Sequence, residues 1–246
     1  MSNSNKSFTK IAKYYDILME DVNYDDWIQY ILDIAELFDA KLIPMLDITC
    51  GTGNSMLPFF ERGIKSIGVD NSLEMLKIAK LKLPKSSFIQ ATAKSLPFPR
   101  YFNLAISIFD SLNYILNYKD LLYAFYSIRE SLLPESHFIF DMNTPYGLEV
   151  ISQHDIRHEN TDLISVWRNL YNRKEKLLTL HLTLFVKKGN FWSRVDEIHR
   201  ERGYNEDEVI IGLRKTGFKA LGTFKCFEHS NVDRFTKRIL YVAKVE

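Results

Sequence analysis

Short apolar runs alternate with stretches of helical periodicity along the first 145 residues of the chain. Apolar positions three and four residues apart predict amphipathic helices over residues 8–19 and 23–38, ahead of the first predicted strand. Strands are predicted for the apolar runs at residues 45–48, 64–69, 87–91, 102–108 and 136–142. Helical patterns separate these runs, and this order is typical of an α/β fold with helices on both faces of its sheet.

The pattern changes after residue 144, where alternation replaces helical spacing. Antiparallel strands are predicted for residues 163–171, 177–186 and 191–200, with Gly189-Asn190 as a hairpin turn. One face of the middle strand carries leucines, whereas the other carries His181 among threonines and a phenylalanine. A helix at 205–217 and strands at 218–227 and 235–245 then end the chain. The second half therefore predicts a small antiparallel β layer inserted into the α/β fold.

The chain turns sharply after the first predicted strand, at Gly51-Thr52-Gly53. Both glycines tolerate positive φ or close backbone approach, so the N–H groups of the following helix can face a ligand over the turn. A dinucleotide fingerprint requires a third glycine where this chain has Met56, which argues against a pyrophosphate ligand. Asp70 ends the second strand about 20 residues after the glycines, where a carboxylate can accept hydrogen bonds from ribose hydroxyls.

Two linked sequence blocks carry a resemblance to a known family. Residues 46–54 (LDITCGTGN) and 68–76 (GVDNSLEML) resemble the class I S-adenosylmethionine-dependent methyltransferases. The resemblance implies S-adenosyl-L-methionine as the cofactor and a Rossmann-like, mostly parallel seven-stranded sheet, with the antiparallel insert over its active-site edge. It also implies a helical cap at residues 1–40, a cofactor-binding core at 41–145 and 205–246, and an acceptor lid at 146–204.

The turn, the acidic strand end and the resemblance together predict a set of cofactor-binding residues. They are Tyr15, Trp27, Asp47, Cys50, Gly51, Thr52, Gly53, Asp70, Asn71, Met75, Thr92, Ala93, Phe109 and Asp110. Two positions depart from the family pattern: Thr49 replaces a usual glycine, and Thr92 replaces an aspartate that usually binds the adenine amino group. The Thr92 hydroxyl can accept the same hydrogen bond without a charge. For Asp110, capping of the helix that follows is an alternative role.

The chemistry implied by this cofactor is an in-line displacement, so the fold must mainly position the acceptor's lone pair behind the methyl group. An amine acceptor must also lose a proton, and Tyr14, His181 and His199 are candidate catalytic bases among which spacing makes no selection. The His181 face suits either an acceptor pocket or a solvated surface. His199, Arg202 and Tyr204 match a His-x-x-Arg-x-Tyr block of the family, which either locks the insert onto the core or binds an acidic acceptor. The sequence shows no metal-ligand cluster.

Composition narrows the possible partners. The 246 residues are 46% hydrophobic and 26% charged with a net charge of +1, which gives no general attraction to nucleic acid. Two cysteines, and the lack of a signal peptide or a transmembrane-length apolar run, predict a cytoplasmic protein without a disulfide framework. We therefore expect methyl transfer to a nitrogen or oxygen atom of a small molecule, with no membrane partner.

Three other functions stay open. A non-catalytic relative that only binds the nucleotide is motivated by the departures at Thr49 and Thr92. Basic residues of the insert, such as Lys187 and Lys188, keep an anionic or RNA acceptor in consideration, although acidic residues lie beside them. A dehydrogenase is opposed by the missing third glycine.

Overall fold

The computed structural model of the protein describes residues 7–154, 156–159, 161–228 and 230–246, so the first six residues of the predicted cap lie outside the described residues. Strands are β1 (Met45–Ile48), β2 (Ser66–Asp70), β3 (Ser87–Gln90), β4 (Phe102–Ser107), β5 (Leu132–Asn143), β6 (Ile156–Glu159), β7 (Leu163–Asn172), β8 (Leu177–Lys188), β9 (Phe191–Arg202), β10 (Phe218–Lys225) and β11 (Arg238–Val245). Helices are α1 (Ala12–Leu18), α2 (Tyr24–Leu37), α3 (Met56–Glu61), α4 (Leu73–Lys82), α5 (Tyr118–Ser131), α6 (Pro145–Ile151) and α7 (Glu206–Lys215), and Ser111–Tyr114 forms a 3₁₀ helix.

Seven strands form one mixed sheet in the order β10-β11-β5-β4-β1-β2-β3. Its neighbours pair in parallel except at β11, which runs antiparallel to both β5 and β10. The other four strands form a separate antiparallel sheet in the order β6-β7-β8-β9. The predicted α/β fold, with a seven-stranded, mostly parallel sheet and an antiparallel insert, is therefore confirmed.

Two elements lie outside the sequence prediction. Strand β6 has four residues and helix α6 has seven, which is too short for a periodic apolar pattern to distinguish them from loops. Both are defined by their neighbours in space, since β6 pairs with β7 and α6 packs against β5, β7 and β8. No helix in the described ranges is long and apolar enough to cross a membrane.

The residues of β1 alternate between two hydrophobic cores, one on each face of the main sheet. Leu46 and Ile48 are fully buried with Phe125 of α5 and Leu213 of α7. Met45 packs on the opposite face, against the apolar stripe of α2. Helices therefore cover both faces, and the carboxyl ends of β1, β2 and β4 remain as the edge at which a ligand can bind.

The insert packs against this edge through one face only. Leu182 and Leu184 of β8 are buried with Ile11, just before α1. Strand β9 is tied to the end of β5, because the Asn113 side-chain amide donates to the Arg202 carbonyl at 2.7 Å and to the Asn143 carbonyl at 2.9 Å. The inner face of β9 therefore lies over the carboxyl edge of the main sheet.

Helix α6 approaches the backbone before β11 so closely that only glycine fits at residue 147. A Cβ atom there would lie 2.0 Å from the Lys237 carbonyl oxygen. We expect Gly147→Ala to lower the free energy of unfolding by about 3 kcal/mol or more, because backbone atoms cannot move aside locally. Gly212→Ala is the matched control, since its Cβ would meet side chains and no backbone atom, at 3.2 Å from Leu122 and from Phe125. Urea unfolding tests this, and equal costs for both variants would contradict it.

Burial of Asp47 in β1 makes the stability of the protein depend on pH. Asp47 is 1% exposed and accepts the Ser55 hydroxyl at 2.6 Å. Burial raises the pKa of this carboxyl to about 7, and the Ser55 bond lowers it only in part. The native state therefore binds a proton more tightly than the unfolded state, whose aspartate pKa is about 3.9, so the free energy of unfolding falls as the pH rises from about 4 to about 7.

Asp47→Asn is expected to remove this contribution, because the amide does not ionise. The variant should gain stability relative to the native protein between pH 5 and pH 8, by at most about 1.4 kcal/mol per pH unit. Urea unfolding of both proteins at the two pH values measures the difference. Parallel stability profiles would show that Asp47 does not titrate in this range.

Candidate active site

The turn after β1 places three residues in left-handed backbone conformations. Thr49, Gly51 and Gly53 have φ values of 71°, 54° and 80°. The Cys50 amide donates to a β2 carbonyl at 2.8 Å, which attaches the turn to its neighbouring strand. A Cβ atom added at Gly51 would meet nothing within 4 Å, whereas one at Gly53 would lie 3.3 Å from the Ala79 Cβ of α4. Gly51 therefore faces open space, and Gly53 allows close packing on α4.

Asp70, at the end of β2, holds the turn and helix α4 together. Its Oδ2 accepts the Gly51 amide at 3.0 Å, and its Oδ1 accepts the Ser72 amide at 2.8 Å. Burial raises the pKa of the Asp70 carboxyl above its usual value, against these amide bonds, which lower it. Because each carboxylate oxygen has a second lone pair, Asp70 can still accept hydrogen bonds from a ligand.

Two adjoining cavities lie over the turn. The larger has a volume of about 280 Å³ and is lined by Ser7, Phe8, Thr9, Thr49, Asp70, Asn71, Ser72, Leu73, Glu74, Gln90, Ser111 and Tyr114. The smaller has a volume of about 30 Å³ and is lined by Tyr15, Tyr24, Thr49, Cys50, Gly51, Thr52, Asn54, Ser55, Ile108, Phe109 and Ser111. Thr49 and Ser111 line both, so the two form one site, called here the turn cleft.

The N-terminal segment, residues 7–11, lies across the turn cleft. On the core side, the Ser72 hydroxyl donates to the Phe8 carbonyl at 2.8 Å. On the insert side, the buried Glu197 carboxylate accepts the Ile11 amide at 3.2 Å. The Phe8 ring packs against the rings of Tyr15, Tyr114 and His199. This segment therefore connects the main sheet to the insert and forms one wall of the cleft.

Helix α1 is fixed on the turn by Asp16. The Asp16 carboxylate accepts the Thr52 hydroxyl at 2.6 Å and pairs with a lysine at the end of α4 at 2.8 Å. Tyr15, in the same helix, lines the smaller cavity. Burial raises the pKa of the Tyr15 phenol, and the negative charges of Asp110 and Asp70 raise it further.

A second polar group lies where β4, β5, β9 and β11 meet. The Asp110 carboxylate accepts the Asn143 side-chain amide at 2.9 Å and pairs with Arg238. Asp141 accepts two backbone amides from the end of β4 at 2.7 and 2.9 Å and lies 3.5 Å from Arg238 Nε. Glu201 of β9 accepts the same Asn143 amide at 3.4 Å. We call these five side chains the carboxyl cluster. Within the described ranges, no group of three or more His, Cys, Asp or Glu residues is placed to hold a metal ion.

The structure brings half of the predicted cofactor residues to the lining of the turn cleft. These are Tyr15, Cys50, Gly51, Thr52, Asp70, Asn71 and Phe109. The lining does not include Trp27, Asp47, Gly53, Met75, Thr92, Ala93 or Asp110. Trp27 packs on the Phe109 ring at 4.7 Å, behind the cleft wall. Met75 of α4 is buried. Asp110 makes no cap hydrogen bond to the 3₁₀ helix after it, so the capping alternative is wrong.

Gln90, rather than Thr92, lies at the cavity wall beyond β3. Thr92 pairs with Ser95 in an isolated bridge. Gln90 is the last residue of β3, and its side-chain amide donates to the Asn71 carbonyl at 3.1 Å. The chain leaves the carboxyl edge after Gln90. Thr92, the position that matches the family block, therefore falls outside the lining.

The three candidate bases fall in different places. Tyr14 is half-buried beside the leucine face of the insert and outside the cleft lining. His181 is exposed on the opposite face of β8, as the solvated-surface alternative has it, and outside the cleft lining. The leucine face is the buried one because it packs on the N-terminal segment. His199 points inward from β9, beside Tyr114, with its Nδ1 at 3.3 Å from the Tyr114 hydroxyl.

His199 is buried as a neutral ring. Burial lowers the pKa of its imidazole to about 4, so the ring carries no charge at pH 7. Within the described chain its Nε2 has no hydrogen-bond partner, and this atom lies 3.8 Å from a carboxylate oxygen of Glu197. The two other residues of the His-x-x-Arg-x-Tyr block lock the insert onto the core, since Arg202 pairs with Glu208 of α7 and Tyr204 donates to a carbonyl before α5.

Several residues of the lining are not among the predicted cofactor residues. Phe8 lies at the cleft because Ser72 and Glu197, more than 60 and more than 180 positions away, bind the N-terminal segment. Tyr114 and Ser111 belong to the segment just after β4 that its place at a carboxyl strand end predicts to border the methyl group, although only Phe109 and Asp110 of it are among the predicted cofactor residues. Gln90 carried the same signal at the end of β3.

The lining of the turn cleft fits the cofactor that the resemblance implies. A Cβ atom at Gly51 would enter the cleft, and the spare lone pairs of Asp70 lie on the same wall. Tyr15 and Phe109 supply aromatic surface, and Asp110 supplies negative charge beside Tyr15. An adenosyl group with a positively charged sulfonium matches this combination of ribose acceptors, aromatic rings and carboxylates.

Known proteins resemble this chain in both sequence and structure. Residues 45–135 match the family described as a methyltransferase domain. The putative methyltransferase YqeM of Bacillus subtilis is 28% identical over 238 residues, which are 95% of either chain. The dTDP-3-amino-3,4,6-trideoxy-alpha-D-glucopyranose N,N-dimethyltransferase of Streptomyces venezuelae is 30% identical over 105 residues, which are 42% of this chain and 44% of its own.

A solved structure matches along nearly the whole chain. It is the crystal structure of an S-adenosylmethionine-dependent methyltransferase from Clostridium acetobutylicum, with 30% identity and a TM-score of 0.85 over 96% of this chain and 98% of that one. S-adenosyl-L-methionine, the predicted cofactor, is thereby confirmed. The order of strands in the main sheet, the turn cleft and this full-length match show that the chain belongs to the class I S-adenosylmethionine-dependent methyltransferases.

Proposed function

We propose that the protein transfers the methyl group of S-adenosylmethionine to a nitrogen or oxygen atom of a small molecule by in-line displacement. The observation that carries this proposal is the partial cover over the turn cleft. The N-terminal segment and β9 cover the carboxyl edge of the sheet and leave a main cavity of about 280 Å³. A covered cavity of this size suits a small ligand, whereas a nucleic acid or protein acceptor needs an open surface.

The relatives and the surface charges support a small acceptor. One relative is by name an N,N-dimethyltransferase of an amino sugar nucleotide. Two basic residues of the insert are paired with acids rather than free for phosphates: Arg194 lies 2.9 Å from Asp196, and Lys176 lies 2.9 Å from Glu208. Such pairs are typical of an ordinary charged surface.

We assign the parts of the cofactor to the residues of the turn cleft. Asp70 would accept the ribose hydroxyls, and Asn71 and Gln90 would border the adenine. The backbone at Gly51 and the Thr52 side chain lie at the other end of the cleft, where the amino-acid part would bind. When bound, the cofactor supplies an electrophilic methyl group and a neutral thioether leaving group, so the chain's main task is orientation and exclusion of water.

His199 is assigned a positioning role. Its imidazole stays neutral because burial lowers its pKa to about 4, which makes it a weak acceptor for the proton of an amine. Its Nδ1 lies 3.3 Å from the Tyr114 hydroxyl, so it orients Tyr114 at the cleft wall. Tyr14 and His181 stand outside the cleft lining and receive no role in the reaction.

We place this reaction in the cytoplasm. Cys50 is buried, Cys226 is half-buried, and both thiols are free. Free thiols are typical of proteins in a reducing compartment.

Asp70→Asn is expected to weaken the binding of S-adenosylmethionine at least tenfold. The amide keeps the shape of the side chain but loses charge-assisted hydrogen bonds, which are worth about 1.5–3 kcal/mol each. Isothermal titration calorimetry with S-adenosylmethionine and S-adenosylhomocysteine measures the change, with Asp33→Asn on the exposed face of α2 as control. If neither ligand binds the native protein below millimolar concentration, the proposed function is wrong.

Release of S-adenosylhomocysteine in the presence of small amines and alcohols is expected to identify the acceptor. The measurement is product formation by mass spectrometry on a panel that pairs each amine with the matching alcohol. Cofactor binding with no product on any acceptor would indicate a nucleotide-binding relative without activity. Salt-dependent binding of tRNA or rRNA in a gel shift would instead indicate an RNA methyltransferase.

A further inference from the structure

Glu197, on the inner face of β9, is a buried carboxylate that is bound by backbone amides. Its side chain is 3% exposed, and it lies opposite Leu182, a buried residue of β8. An apolar side chain would pack there at no cost in hydration, whereas a buried carboxylate is costly unless hydrogen-bond donors replace its water. In the described ranges, no lysine or arginine lies within 4 Å of this carboxylate, and His199, at 3.8 Å, is neutral. Backbone N–H groups of the N-terminal segment stabilise it instead.

The two carboxylate oxygens of Glu197 bind two different amides of this segment. Oε1 accepts the Thr9 amide at 3.3 Å, and Oε2 accepts the Ile11 amide at 3.2 Å. Phe8 has a φ of 60°, and a left-handed residue can turn neighbouring N–H groups toward one anion. Burial raises the pKa of the Glu197 carboxyl, and the amides of Ile11 and Thr9 lower it in part. Two acceptor oxygens therefore match two backbone donors of the segment.

Other contacts attach the N-terminal segment both to the insert and to the core. Lys10 Nζ donates to the Asp196 carbonyl of β9 at 3.3 Å. The Ile11 side chain is buried with two leucines of β8. At the core, the Ser72 hydroxyl donates to the Phe8 carbonyl at 2.8 Å. The segment thus spans the distance from β9 to the start of α4, and its position depends on the insert.

Phe8 and Thr9 are the residues through which this bound segment borders the proposed cofactor site. Both line the larger cavity of the turn cleft, together with Asp70, to which we assign the ribose hydroxyls. Ser72 connects them, because its hydroxyl binds the Phe8 carbonyl and its amide binds Asp70 Oδ1 at 2.8 Å. A displacement of the segment would therefore open the cavity beside the ribose-binding carboxylate.

We propose that Glu197 is a positioning residue for cofactor binding. From the insert, its carboxylate holds residues 7–11 across the turn cleft, so that Phe8 and Thr9 cover the cofactor and slow its release. This inference rests on the proposed function, since it takes the turn cleft as the cofactor site. Glu197 is not part of the cavity lining and acts on the cofactor through the segment. The insert thereby contributes to the binding of the cofactor.

Glu197→Gln tests these hydrogen bonds separately from packing. The two side chains are nearly equal in size and shape, but glutamine has a single acceptor oxygen, and its NH₂ group would face a backbone N–H donor. We expect the Thr9 and Ile11 amides to exchange hydrogen with solvent about tenfold faster or more, while the amides of β1 and β5 keep their protection. Hydrogen exchange followed by NMR measures both. A general loss of stability would instead speed exchange throughout the chain.

The same variant is expected to release S-adenosylhomocysteine about tenfold faster or more, because the segment no longer stays in place over the cavity. Surface plasmon resonance measures this dissociation rate and needs no acceptor. With an acceptor found in the panel, KM for S-adenosylmethionine should rise about tenfold, while kcat stays within about threefold, since saturating cofactor fills the cleft.

Asp196→Asn is the matched control. It removes the neighbouring carboxylate of β9, which is exposed and binds the Thr183 hydroxyl and the Arg194 guanidinium. The Asp196 carbonyl that binds Lys10 belongs to the backbone and is kept. Amide exchange at Thr9 and Ile11 and the dissociation rate should both stay within about twofold of the native protein, which lies inside the range of an ordinary surface substitution.

Two results would overturn this inference while the proposed function stands. One is unchanged exchange of the Thr9 and Ile11 amides in Glu197→Gln, and the other is faster exchange there with an unchanged dissociation rate. If Glu197→Gln does not fold, Phe8→Ala removes the ring at the cavity wall and keeps the bonds of Glu197, and an unchanged dissociation rate in this variant likewise overturns the inference. Failure of S-adenosylhomocysteine to bind the native protein overturns both the inference and the proposed function.

Discussion

The hydrogen bonds of one carboxylate hold the binding site together. Asp70 accepts the amide of Gly51, in the turn after β1, and the amide of Ser72, at the start of α4. These amides belong to a turn and to a helix start, where backbone donors have no partner within their own element. The same Ser72 donates its hydroxyl to Phe8, so the wall of the cleft and the segment that covers it depend on adjacent residues. The chain's own hydrogen bonds thus hold the wall of the cleft.

Buried carboxyl groups distinguish this cleft from an ordinary apolar pocket. Burial raises the pKa of five carboxyl groups in and around it, namely Asp47, Asp70, Asp141, Glu197 and Glu201. Backbone amides and Arg238 offset only part of this cost. A site with more buried acids than cations favours positively charged ligands. The sulfonium cofactor is one such ligand.

The insert completes the site through contacts that are remote in sequence. Glu197 binds the backbone of the N-terminal segment, and Asn143 links the end of β5 to Glu201 of β9. These polar contacts decide which face of the insert looks inward, together with the leucines of β8 that pack on Ile11. Side chains from β5, β9 and β11 and from the segment just after β4 therefore meet only in the folded chain.

Local sequence patterns determined the succession of strands and helices that form the main sheet, the turn at Gly51 and the acidic strand end at Asp70. Periodicity, glycine conformation and strand ends are properties of short segments. They did not determine β6, which exists only by pairing with β7, or the inward face of the insert. The choice among Tyr14, His181 and His199 also needed the tertiary structure. Alternation along a strand shows that two faces differ, but which face is buried depends on what packs against it, and that partner lies elsewhere in the chain.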